Sequence, residues 1–295
     1  MRMVRRPILA ALVAAVLASS VAAAQDGKKN FLWRVEGPGG SVAHLMGSLH
    51  VLTPDFYPLS PEINEAFKGS KTLVEEVDFD EMNDPAQMMS ALGKAMLTDG
   101  RTLEQLVAPS TFAEVSLRAE KAGVPMVALQ RMKPWLVAIM LMEPTLQAAG
   151  FKAELGVDKH FFDRAKAAGL KRQALETLAY QIDRFDQLSP KLQEEMLVAG
   201  MKDIDTQVGN VKDMARQWAA GDVQALEKSL LVSFDDSREL YDRLLVERNR
   251  NWVPHVDACL QQNAACFIVV GAAHLVGPDG LPTLLRKKGY KVTQQ

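Results

Sequence analysis

The 295-residue chain is poor in the residues that usually mark a reaction centre: it has two cysteines and five histidines. The cysteines, Cys259 and Cys266, lack the C-x-x-C spacing and the second pair of a structural zinc site. No H-E-x-x-H helix, no G-x-S-x-G elbow, no G-x-x-x-x-G-K-[ST] loop and no G-x-G-x-x-G turn occurs. Their absence removes the commonest zinc-protease, serine-hydrolase, nucleotide-phosphate and dinucleotide sites. Charge is nearly balanced, with 34 basic against 36 acidic residues and no basic block beyond the first residues. A nucleic-acid partner, which needs a positive surface, is therefore not indicated. There is no low-complexity segment and no Gly/Ser linker to force a division into two domains.

What is present begins with an export signal. Met1-Arg-Met-Val-Arg-Arg6 is basic, Pro7 to Ala18 is apolar, and Ser19-Ser-Val-Ala-Ala-Ala24 ends in small residues of the A-x-A kind. The apolar run is shorter than the roughly 20 residues of a spanning helix. Residues 1–24 are expected to be a cleaved signal peptide. Residues 25–295 then form a domain in the periplasm or outside the cell, with no membrane span left after cleavage. No cysteine follows the small residues, which speaks against a lipoprotein. Disulfides persist in such compartments, so Cys259 and Cys266 are expected to form a short-loop bridge.

Apolar residues make up 48% of the chain, enough for a sizeable core. Phe31–Val35 and Ser41–Met46 alternate around a Gly/Pro turn and predict a hairpin. Pro61–Phe67 predicts a helix opened by Ser60, and Thr72–Asp78 a strand. Residues 85–150 are helical and Met-rich and predict a cap, with methionine as core filler. Gly156-Val-Asp158 opens a further helix with Asp158 as its cap, and Leu170–Glu176 reads as a strand. Ser189–Trp252 is helical with a break near Gly221. Cys266–Val270 is a continuous apolar run, as in a strand buried on both faces. A helix over Leu281–Lys287 and a last strand from Tyr290 close the chain. Strands alternating with helices predict an α/β fold: a central mixed sheet flanked by helices, with a helical cap.

Two short echoes stand out. Gly47-Ser-Leu-His50 and Gly271-Ala-Ala-His274 each follow a strand. Ligands of open α/β sheets collect beyond the carboxyl ends of strands, so the two histidines can share a site. Imidazole serves there as metal ligand or general base. His44, His160 and His255 read as structural or solvated. Glu76 and Asp78 share one strand face by period two; Glu75, on the other face, reads as solvated or salt-bridged, and Asp78 alternatively as a turn cap. Glu176 leaves the next strand. Glu247-Arg248-Asn249, with Trp252, ends a helix. Arg248 can clamp a carboxylate or an oxyanion there, or simply belong to a charged helix face.

Taken together these motifs resemble the TraB/GumN family, which includes the TIKI-type proteases. The resemblance rests on Phe31-Leu-Trp33, Gly47-Ser-Leu-His50, Glu76-Val-Asp78 and Gly156-Val-Asp158. It continues through Leu175-Glu-Thr177 with Gln181, Glu247-Arg-Asn249, and Gly271-Ala-Ala-His-Leu275 with Gly277 and Gly280. It implies a fold similar to erythromycin esterases and haem-binding ChaN-like proteins. It also implies a metal-dependent hydrolase, most often described as a peptidase, with His50, His274 and Glu76 on the metal. Glu76, Glu176, Arg248 and Asn249 would be the catalytic set. Glu75 is a local departure, giving two adjacent acids where one suffices.

The expected function is thus a periplasmic metal-dependent hydrolase of peptides or small molecules, using zinc, manganese or cobalt. Arg248 would hold substrate or stabilise developing negative charge. The alternatives are a metal-independent esterase-like hydrolase and a haem- or metal-binding protein without turnover. A third is a factor that sequesters a peptide.

Overall fold

The computed structural model describes residues 29–201, 204–234 and 237–295. The expected signal peptide, 1–24, lies outside them. Six strands form one mixed sheet: β1 (Leu32–Glu36), β2 (Val42–Ser48), β3 (Thr72–Glu75), β4 (Lys171–Ala174), β5 (Cys266–Gly271) and β6 (Lys291–Gln294). Their order is β4-β3-β5-β2-β1-β6. The alternation at the start of the chain does make a hairpin, with Trp33 opposite Leu45 and Val35 opposite Ala43. Strand β6 adds antiparallel to β1 at the edge. The other four strands are parallel.

The continuous apolar run became the central strand. Every residue of β5 is buried, because helices cover both faces of a parallel sheet. On one face Phe267 of β5 meets Phe161 of the helix Val157–Ala167, ring centroids 4.7 Å apart. On the other face lies the helix Glu247–Gln261. Its Cys259 is joined by a disulfide to Cys266 at the start of β5, Cα atoms 6.1 Å apart. Each large side chain buried in this layer contributes about 1.5–3 kcal/mol.

Two strands are shorter than expected, and the difference positions the site. β3 stops at Glu75, where Asp78 caps a short helix, Phe79–Asn83, by accepting from the Asp80 N–H at 2.9 Å. β4 stops at Ala174. Glu76 and Glu176 therefore lie just past the ladder, held side by side by a Glu176 N–H to Glu76 carbonyl bond of 2.9 Å.

The Met-rich stretch is helical, with Pro85–Ala95, Pro109–Ala122 and Pro134–Ala148 as its main helices. It has its own apolar cluster, including Leu103, Val115, Leu129 and Leu141. That cluster also takes Leu197 and Met201 from the helix Pro190–Met201, so the helical layer reaches beyond residue 150. Not all its methionines are filler: Met89 is 71% exposed. Among the described residues no helix is long and apolar enough to cross a membrane.

Candidate functional site

The four parallel strands end at one edge of the sheet, and the two G-x-x-H turns leave from neighbours there. Ser48 pairs with Gly271 across the β2–β5 ladder, so both turns start at the same level. Gly271 has no side chain where one would collide. A Cβ there would stand 3.2 Å from Glu76 Oε1, 3.5 Å from His274 Cδ2 and 3.7 Å from His50 Nε2. Glu76, His50 and His274 thus converge on a single small space. The Gly271 N–H donates to Glu76 Oε1 at 2.6 Å, fixing that carboxylate from below.

Arg248 holds the other side. Its Nη2 donates to Glu76 Oε2 and to Glu176 Oε1, both at 2.6 Å, and its Nε to Glu176 Oε2 at 3.1 Å. Its Nη1 faces the Leu244 carbonyl at 3.2 Å and His274 Nε2 at 3.1 Å. These contacts use all five N–H donors of the guanidinium. Arg248 is therefore a buried cation that positions two carboxylates and a histidine. With these bonds made it has no hydrogen left for a further partner. Trp252 stacks beneath it, 4.7 Å from ring centroid to guanidinium carbon. Burial alone would raise the Glu76 pKa. Arg248, the two histidines and the Gly271 N–H outweigh it and hold the group at about 2. Glu176 shifts the other way: burial raises it despite Arg248. Gln181 spans both acids, its Nε2 3.1 Å from Glu76 and 3.3 Å from Glu176.

The two histidines differ. His274 is buried, and burial drives its pKa down to about 3, with the Arg248 and His50 charges adding to the effect and Glu76 opposing it. A neutral ring between these partners places its proton on Nδ1, donating to Asn249 Oδ1 at 2.6 Å, while Nε2 accepts from Arg248. Asn249 is fixed in turn by its Nδ2, which donates to the Asp279 carbonyl at 2.8 Å. His50 is 66% exposed at the side chain, and its Nδ1 meets Asp158 Oδ2 at 2.5 Å. That carboxylate raises its pKa, to about 9, with the Glu76 charge adding to the effect. Nε2 is left facing the space above Gly271.

Asp158 was expected as a helix cap. The cap is Gly156, and Asp158 sits in the first turn with its carboxylate on His50. A Cβ on Gly156 would lie 2.5 Å from the His50 carbonyl oxygen, so this approach demands glycine. Asp158 is the site residue that sequence reasoning missed; the Gly156-Val-Asp158 motif was its only trace. Glu75 is not solvated as expected but 2% exposed, and its Oε1 has no hydrogen-bond partner. Burial, with the nearby carboxylates of Asp78 and Asp158, pushes its pKa up to about 8. Asp78 is a cap and a partner of Arg172, away from the centre. His44 lies half-buried on β2, and His160 packs against Tyr57 and Phe161.

The arrangement does not fit a divalent metal on His50, His274 and Glu76. Both nitrogens of His274 are engaged, by Asn249 and by Arg248. The guanidinium occupies the position from which a cation would neutralise Glu76 and Glu176. Among the described residues no group of three or more His, Cys, Asp or Glu is spaced to hold an ion.

No solved structure matches the chain. Two curated proteins are similar to it, the uncharacterized protein YbaP of Shigella flexneri and that of Escherichia coli strain K12. Each is 25% identical over 249 residues, covering 84% of this chain and 89% of the relative. The TraB/PrgY/gumN family model matches residues 31–294, which span the sheet and every residue of the site. The chain belongs to the TraB/PrgY/gumN family.

Proposed function

We propose that the chain is an exported hydrolase in which His50, oriented by Asp158, activates water at the carboxyl edge of the sheet. The observation that carries this reading is the convergence of His50 Nε2 and Glu76 Oε1 on the open space above Gly271. A water there donates one hydrogen to each. His50 takes the proton as general base, and the oxygen attacks the carbonyl carbon of a peptide or ester. The proton then passes from His50 to the leaving nitrogen or oxygen. Asp158 fixes the tautomer and stabilises the imidazolium, as the carboxylate of a hydrolytic triad does. Arg248 keeps Glu76 ionised, and Glu176, Gln181, Asn249 and His274 hold Arg248 and the turn in place.

Of the hydrolytic alternatives, the saturated guanidinium favours the one without a metal, since a divalent ion would have to displace Arg248 from its carboxylates. Export is supported by the character of residues 1–24 and by the Cys259–Cys266 bridge.

The test is a cleavage screen of the mature chain, residues 25–295, on peptide and ester libraries with and without full chelation. Cleavage is expected to survive chelation. It is expected to fall at least about 100-fold in His50→Ala, the scale of general-base loss. Cleavage that returns only with zinc, manganese or cobalt would restore the metal mechanism. A spectral change on adding haem, with no substrate cleaved, would make the chain a binding protein.

A further inference from the structure

A cavity of about 440 Å³ opens beside His50. Val77, Phe79, Met82 and Ile139 give it apolar walls. Its sheet side carries two polar side chains that nothing satisfies. Glu75 Oε1 and Ser48 Oγ are buried without any hydrogen-bond partner, and each residue is 2% exposed. Both look into the cavity for a reason of register. Glu75 pairs with Val269, and Ser48 with Gly271, across the β5 ladders. Val269 and Gly271 are two residues apart, so all four positions share one face of the sheet.

An unpaired buried acceptor costs about 1–3 kcal/mol, and native structures rarely keep one without a use. Among the described residues no cation supplies the missing hydrogen. Arg172, whose charge reaches Glu75, donates instead to Asp78 and Asp80. The cavity is lined by the carboxyl groups of Glu75, Glu76 and Asp158 and by no lysine or arginine, and the charge of its His50 is matched by Asp158. Of these acids, Asp158 is tied to His50 and Glu76 to Arg248. Glu75 is the one of the three with a buried carboxyl oxygen that no hydrogen bond engages. The lining therefore combines apolar walls with one open carboxyl oxygen and one open hydroxyl.

We propose that this cavity selects substrates carrying a cationic amine on an apolar stem. The stem lies along Phe79, Met82 and Ile139, and an ammonium N–H donates to Glu75 Oε1, with Ser48 Oγ as a second acceptor on the same face. The proposal rests on the hydrolytic reading for its consequence, that the amine-bearing group sits next to the bond cleaved. Recognition itself can be measured without turnover.

The experiment is calorimetric titration of the mature protein with hexylammonium, hexanol and hexanoate at pH 9, where Glu75 is ionised and the amine still charged. Hexylammonium is expected to bind at least about tenfold more tightly than hexanol, the size of one charge-assisted hydrogen bond, and hexanoate not at all. Glu75→Gln should bring hexylammonium down to the level of hexanol. Its melting temperature should not fall, because the carboxyl it replaces has no protein partner at Oε1. Ser48→Ala should weaken hexylammonium by about threefold. His50→Ala should keep the amine preference even if all hydrolysis is lost, so the two readings can fail separately. Equal binding of hexanol and hexylammonium, or a preference that survives Glu75→Gln or disappears in His50→Ala, would overturn the proposal.

Discussion

The turns Gly47–His50 and Gly271–His274 share a four-residue pattern, leave adjacent parallel strands at the same level, and deliver histidines of opposite character. His274 is buried against an amide, Asn249, and a guanidinium, so it is neutral and both its nitrogens are occupied. His50 is exposed and meets a carboxylate, so it holds a proton readily and keeps one nitrogen for a ligand. The difference comes from the partner that each fold element supplies, not from the motif. One turn is tied into the buried cluster and the other keeps a nitrogen open to the cavity. A repeated pattern in a sequence therefore locates a centre without assigning its roles.

The largest effect expected from breaking this pairing is at Arg248. Arg248→Met leaves Glu76 and Glu176 without their cation and should cost about 3–5 kcal/mol, the penalty for stripping one partner from a buried ion cluster. Denaturant unfolding measures it. Arg248→Lys should not restore stability, since an ammonium cannot reach the acceptors that a planar fork reaches. Full stability in either variant would mean that the cluster does not hold the His274 turn.

Next come the histidines themselves. His274→Ala strands a donor of Arg248 and Asn249 Oδ1, and should cost about 1–3 kcal/mol. His50→Ala should leave the unfolding midpoint nearly unchanged while removing cleavage. Parallel unfolding and activity assays on the two variants decide whether the division of labour is real; matching losses in both assays would erase it.

The disulfide affects one turn more than the other. Opening it by Cys259→Ser with Cys266→Ser should cost about 2 kcal/mol by loop entropy. The loss should loosen His274, whose strand it anchors, and leave the His50–Asp158 pair as it was. Imidazole chemical shifts of both residues would show which moves.

The smallest effect is in pH. The His50–Asp158 pair is exposed on the His50 side, so its contribution to stability is small. The folded pKa lies above the ordinary value of 6.5, at about 9. The pair's contribution is therefore complete below 6.5 and disappears as pH rises through about 9. Cleavage should follow the opposite course, rising with pH as His50 loses its proton. Asp158→Asn should move both profiles toward 6.5, whereas His274 should show no titration at all between pH 5 and 9. NMR titration of the ring protons tests each statement.

Much of this was legible in the residues. The hairpin, the buried run at Cys266–Val270 and the closing helix follow from periodicity, because each shows one face or none to water. The two turns were legible from the repeated glycine three residues before a histidine at a strand end; the need is for space, since a Cβ on Gly47 would lie 2.2 Å from Phe31 Cδ1 and Gly271 has an ordinary φ of −50°. Glu75 was misread for a physical reason. Alternation assigns one strand face to solvent, but β3 lies inside a parallel sheet and both its faces are covered. Asp158 was missed because its partner is 108 residues away and nothing local marks that contact. The surroundings of Arg248 were not legible, because the number of acceptors around a guanidinium is fixed only by the folded chain.

The helix that carries Arg248, Asn249 and Trp252 is clasped by a disulfide to the next strand, which ends at Gly271 and leads straight into the turn of His274. The cation and its histidine are thus carried on one unbroken length of chain, whereas His50, Glu76, Asp158 and Glu176 come from widely separated places. Such a length can be inherited, or transplanted between relatives, as a prefabricated part. The cation, its amide-held histidine and the covalent clasp travel together in it. Variation can then collect on the cavity side, where Glu75 and the apolar wall face whatever enters, without disturbing the cluster behind it.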